Sequence, residues 1–185
     1  FGIGSGCFFS YMPFIRVNGM PVISFRHWPG IIFRRSTDKL GVAIERMKFR
    51  RQQHAMAALD ALLEKGVPVG LLVGVFNLTY FPPEYRFHFN AHNMVVIGKE
   101  GNNYLISDPV MENIEQLSSK DLQRVRFARG TYPPKGRMYW VTQKPGQIDL
   151  ESAIIRGVRK NCEDMLRIPV PLFGVKGIHY IANRR

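Results

Sequence analysis

Residues 92–109 read HNMVVIGKEGNNYLISDP, two apolar runs around a polar, glycine-bearing break. The runs 92–98 and 103–107 are rich in Val, Ile, Leu and Tyr, and KEGNN between them is a turn signal, so the stretch predicts a β-hairpin. A tight hairpin sets its two open ends side by side. His92 stands at the first position of one strand and Asp108 just after the last position of the other. A carboxylate there can accept the imidazole N–H, fix its tautomer and stabilise the imidazolium, which is the orienter–base half of a catalytic triad. The same residues also fit an ordinary hairpin, with a strand-end histidine and a turn aspartate in SDP.

Working outward, VPVGLLVGVF at 67–76 is continuous and β-branched, as a strand buried on both faces would be. Ahead of it, RRQQHAMAALDALLEKG places Ala55, Leu59 and Leu62 on one helical face, with Gly66 and Pro68 as stop signals. Between strand and hairpin, NLTYFPPEYRFHFNA is a loop, since paired prolines forbid regular structure. Ser118, three residues before Asp121, opens a capped helix, and RMYWVTQ reads as a strand. Nearer the start, PVISFRHW alternates like a strand, GIIFRRS predicts another, and STDKLGVAIE a short capped helix. KPGQ at 144–147 reads as a linker. Asp149 then caps a helix whose Leu150, Ile154, Val158, Cys162 and Met165 share an apolar stripe, which predicts Cys162 in a core. Helices interleaved with a mostly antiparallel sheet make an α+β fold.

The 185 residues suffice for one compact domain with a short second piece, and 45% apolar content fits a globular chain. Two cysteines make no disulfide framework, so reduced thiols and a cytoplasmic location are expected. The apolar run at 67–76 is too short to span a bilayer. A net charge of +12 favours anionic partners, yet the Lys and Arg residues are scattered and no nucleic-acid motif accompanies them.

The opening FGIGSGCFFSYMPF raises three possibilities: a phosphate loop, a catalytic cysteine, or a bend. A dinucleotide fingerprint needs a glycine at its sixth position, and counting from Gly2 that position is Cys7. Cys7 is a poor nucleophile candidate, because Pro13 leaves no room for a helix after it and flanking aromatics predict a packed, buried thiol. The run is therefore a bend of small residues, with Gly4, Ser5 and Gly6 free to approach a neighbour or an acyl chain. His88 and His92 stand four apart, but across a loop–strand junction with no further ligand nearby, so no metal site is expected, nor any cofactor. His88 reads instead either as lining the mouth of a groove with Tyr80 and Asn90 or as a simple loop residue, while His27 and His54 read as packing or surface residues.

FGIGSGCFFSY, the helix before the loop, and FNLTYFPPEYRFHFNAHNMVVIGKEGNNYLISDP together resemble the N-terminal domain of butirosin biosynthesis protein H. The resemblance covers roughly residues 1–143, and PLFGVKGIHYIA is similar to a segment that follows in that family. It implies a papain-like fold akin to bacteriocin-leader peptidases and a Cys–His–Asp thiol enzyme, with His92 as the histidine and Asp108 as the acid. It further implies acyl transfer from a carrier-protein thioester to an amine, and a nucleophilic cysteine upstream of the glycine-rich loop. The chain opens inside an apolar glycine motif, so it is read as cut at the front, with that cysteine before residue 1. Residues 1–143 are then expected to form the papain-like domain, and 144–185 a linker, a helix and the start of a further region. An acidic acyl carrier protein and a small-molecule amine or peptide acceptor are the expected partners. A cysteine peptidase and a non-catalytic adaptor with a basic face are the alternatives.

Overall fold

The computed structural model describes residues 2–17, 19–130 and 132–183. The chain divides into two compact units, one of Phe1–Ala43 with Gln143–Arg185, the other of Ile44–Thr142. Residues after 143 thus pack with the N-terminal segment, where the sequence predicted a division near that point.

In the first unit, β1 (Cys7–Val17) and β2 (Met20–Arg26) form an antiparallel hairpin. A single helix α1 (Pro29–Leu40) replaces the strand and short helix predicted over this stretch. A short apolar run such as Ile31–Phe33 cannot by itself separate helix from strand. The ends decide it. Pro29 is pre-set for a helical first turn, and Gly41 closes the helix in the left-handed region at φ 67°. The C-terminal helices are α4 (Leu150–Arg167), capped by Asp149 accepting from the Ser152 N–H, and α5 (Gly174–Ala182). The predicted stripe of α4 does not enter a core. Its buried residues are Ala153 and Gly157, while Leu150, Ile154, Val158 and Cys162 are exposed. The small face packs because Gly157 leaves room for the Gly2 carbonyl, where any Cβ would collide.

The second unit is built on a six-stranded sheet in the order β3-β8-β4-β5-β6-β7. Its strands are β3 (Ala43–Met47), β4 (Val69–Val73), β5 (His92–Glu100), β6 (Asn103–Ser107), β7 (Glu115–Ser118) and β8 (Met138–Gln143). β4 pairs antiparallel with β5 and β8, and β5–β6 and β6–β7 are also antiparallel, as the α+β reading expected. Central β4 is buried on both faces. Gly70 is obligatory there, because the Tyr139 ring of β8 occupies the space a Cβ would need. Helices α2 (Gln52–Leu63) and α3 (Ser119–Arg126) complete the unit. Ala55 and Leu59 of α2 are fully buried, on the face the periodicity marked. Ser118 caps α3 by accepting from the Asp121 N–H. The core gathers Leu59, Leu71, Met94, Ile106, Leu122 and Met138, among others. Arg126 is also fully buried, with its Nη1 donating to the Ala55 carbonyl at 2.8 Å and its Nε without a partner. No helix is long and apolar enough to cross a membrane among the described residues.

Candidate active site

The β5–β6 hairpin turns through Gly101 and Asn102, with Glu100 paired to Asn103. From there Lys99 faces Tyr104 and Gly98 faces Leu105, but Val96 faces Ile106 and Val95 faces Ser107. One extra residue, Ile97, has entered β5 as a bulge. The bulge sets the chemistry. Side chains alternate across a sheet, so a one-residue shift exchanges the two faces. With the bulge, the next step of the register sets Asp108 across from Met94, and His92 stands diagonally two residues away on the same face. Without it, Asp108 would share a face with Asn93 and Val95 instead.

His92 Nε2 lies 2.7 Å from Asp108 Oδ2. The Tyr80 hydroxyl donates to the same oxygen at 2.8 Å, and the Val110 N–H donates to Oδ1 at 2.9 Å. Burial alone would push the Asp108 carboxyl up. The hydrogen bonds from His92, Val110 and Tyr80 outweigh it and hold the carboxyl below the usual range. An ionised carboxylate only accepts, so Nε2 must carry the proton in the neutral imidazole. That leaves the Nδ1 lone pair free, and Nδ1 has no hydrogen-bond partner among the described residues. Phe81 meets the ring edge-on at 5.5 Å between centroids, and the imidazole keeps 12% of its surface exposed while the Asp108 side chain keeps none. Burial and the neighbouring carboxylate drive the Tyr80 phenol far above its ordinary pKa, so Tyr80 stays a donor.

Of the residues expected at a substrate groove, Tyr80 alone joins this cluster. His88 is exposed and stacks on Phe76 at 4.1 Å, and Asn90 donates to the Arg129 carbonyl. Gly4, Ser5 and Gly6 are buried in the first unit, which leaves them no open surface for an acyl chain. A Cβ at Gly4 would lie 2.5 Å from Ser36 Oγ of α1, and the Ser5 hydroxyl donates to the Gly157 carbonyl at 3.0 Å. The glycine spacing therefore serves helix packing. Cys7 is exposed at the start of a strand, not packed as its aromatic neighbours predicted, although Phe8, Phe9 and Ser10 directly after it are all buried. A strand start offers no helix N-terminus to activate the thiol.

Sequence reading missed a second histidine–aspartate contact, in the first unit. His27 Nε2 is 2.9 Å from Asp164 Oδ2, and the ring stacks on Phe8 at 4.1 Å. Asp164 also meets Arg35 at 2.7 Å and Lys160 at 2.8 Å. Burial lowers the His27 pKa despite its aspartate, so this imidazole is held neutral by its surroundings. The residues are 137 apart in sequence, and no local pattern could have joined them.

The family model described as butirosin biosynthesis protein H, N-terminal, matches residues 1–109. A second, described as a domain of unknown function (DUF4872), matches residues 120–184. No curated protein matches the sequence. Among solved structures, a putative C39-like peptidase from Bacillus anthracis is similar at 13% identity and a TM-score of 0.44. The match covers 66% of this chain and 64% of that one, so the chain spans less than two thirds of that relative.

Proposed function

Because this chain belongs to the butirosin biosynthesis protein H N-terminal family, we propose that His92 and Asp108 serve a thiol acyltransferase of the papain-like class. The observation that carries the reading is the buried Asp108 bonded to Nε2 while Nδ1 keeps a free lone pair. His92 is the general base at Nδ1, Asp108 orients the ring and balances the imidazolium, and Tyr80 braces the carboxylate.

In this scheme Nδ1 takes the proton of a cysteine thiol supplied from upstream of residue 1. The thiolate attacks the carbonyl carbon of a carrier-bound thioester, the carbonyl re-forms, and the carrier's sulfur leaves with the proton from Nδ1. An acyl-enzyme remains. An amine then attacks it, Nδ1 takes the amine's proton, and the enzyme thiolate leaves and recovers that proton. The net charge of +12 draws an acidic carrier protein by long-range attraction. A free thiol nucleophile also calls for a reducing compartment such as the cytoplasm.

The test is thioester labelling of the complete gene product, followed by intact mass. The acyl adduct should form in the wild type and fall by about 10²-fold or more in rate in His92→Gln. Adding an amine should then discharge the adduct as an amide. Undiminished labelling of His92→Gln overturns the assignment of the base. Discharge to water alone, with amines inert, overturns acyl transfer and favours the peptidase alternative.

A further inference from the structure

In the first unit a shallow cleft of about 340 Å³, widely open to solvent, lies between α1 and α4, lined by Arg35, Lys39, Arg156, Arg159, Lys160 and Glu163. Helical spacing explains how one face collects so many cations. Arg35 and Lys39 are four apart on α1, while Arg156, Arg159, Lys160 and Glu163 fall at three, four and seven on α4. Five cations and one carboxylate therefore meet in a single concavity.

The charge is not balanced internally. Asp164, at the edge of the cluster, is shared by Arg35, Lys160 and His27. Lys39, Arg156 and Arg159 make no ion pair among the described residues. Lys39 Nζ is tied to the buried Ser5 hydroxyl at 3.2 Å, and Arg156 Nη2 donates to the Lys39 carbonyl at 3.1 Å. Burial lowers the Lys39 pKa first, and the like charge of Arg35 lowers it further. Like charges at this spacing oppose folding, so an external anion would relieve a cost that the protein otherwise carries.

We propose that this cleft is a binding site for a small anion bearing two or more linked phosphate groups. Arginine forks match phosphate oxygens two at a time, and lysine adds a compact point charge. The volume lies at the lower end of the roughly 300–1,000 Å³ typical of small-molecule sites. Five of the six lining residues are cations, so charge density, not shape, selects the ligand. A diphosphate concentrates charge in such a volume as a single carboxylate cannot. Its source can be free pyrophosphate or the diphosphate of a larger ester, and the two share this recognition chemistry. The site stands independently of the thiol chemistry assigned to His92.

Calorimetric titration of the full chain tests it, with orthophosphate, pyrophosphate and ADP as probes. Pyrophosphate should bind saturably, more tightly than orthophosphate, and weaken as NaCl rises from about 50 to about 500 mM. Arg159→Ala, at an exposed position, should weaken pyrophosphate about ten- to hundredfold, and Lys39→Ala similarly. Lys120→Ala, an exposed lysine of the second unit, should leave binding unchanged. Tighter binding of ADP than of pyrophosphate identifies an ester as the source, and the reverse order identifies the free anion. If Lys39→Ala fails to fold after losing its Ser5 tie, Arg159→Ala still decides. Absence of saturable pyrophosphate and ADP binding, or equal weakening by Lys120→Ala, overturns the proposal.

Discussion

Replacing Asp108 by Asn keeps the shape of the side chain and removes only its charge and one acceptor. The substituted amide can keep Oδ1 on the Val110 N–H, which the aspartate now accepts at 2.9 Å. Its NH₂ then points at two groups that donate in the wild type, His92 Nε2 at 2.7 Å and the Tyr80 hydroxyl at 2.8 Å. Both can adjust. The hydroxyl rotates to accept, and the imidazole moves its proton to Nδ1 so that Nε2 accepts. Three charge-assisted bonds, from His92, Tyr80 and the Val110 N–H, become neutral ones, a loss of about 1 kcal/mol each, so Asp108→Asn should cost about 3 kcal/mol in urea unfolding at neutral pH. The larger consequence is the inverted tautomer, because the proton now sits on the nitrogen that has to be basic. Imidazole ¹⁵N shifts of the neutral ring should report Nε2–H in the wild type and Nδ1–H in the variant. The Asp108 carboxyl has a folded pKa below its unfolded one. Its contribution is therefore present above about pH 4 and lost as pH falls through the folded value, closing the gap to Asp108→Asn. An unchanged tautomer in the variant, or a stability gap that persists undiminished in acid, would refute the geometry argued for this cluster.

Gly70→Ala should destabilise the second unit by about 1–3 kcal/mol in urea, and trimming the Tyr139 ring with Tyr139→Leu should recover part of the loss. Additive costs in the double variant would contradict that contact. Arg126 has an unpartnered Nε and a pKa lowered by burial to about 10, so Arg126→Met should leave the melting temperature unchanged or raised. Arg126→Ala should instead lose about 2–5 kcal/mol to the cavity, and equal losses for both variants would show that the guanidinium itself is needed. Ser118→Ala removes the cap on the Asp121 N–H and should cost about 1 kcal/mol, read from the urea midpoint at constant slope.

The residues that announce themselves locally are those whose partners lie close in sequence. The turn at Gly101, the alternation in β5 and β6, the cap at Ser118 and the apolar face of α2 are all short-range patterns. They sufficed to bring His92 and Asp108 to one end of one hairpin. The helix α1 was misread because three apolar residues carry no period, and α4 because its apolar stripe was the more obvious face but not the one that packs. Burial of Gly4, Ser5 and Gly6 likewise depends on α1 and α4, elements a reader of the opening stretch cannot yet see.

Sequence alone determined which side chains stand at the hairpin's open end and that a carboxylate there could meet an imidazole. Only the tertiary structure decided that they share a face, through a single extra residue at Ile97 whose backbone bulge leaves no mark in composition. It alone also gathered Arg35, Lys39, Arg156 and Arg159 around one cleft. The physical reason is the same in both cases. Period and propensity describe the chain along its own axis, whereas register and helix–helix packing depend on contacts between segments that the sequence keeps far apart.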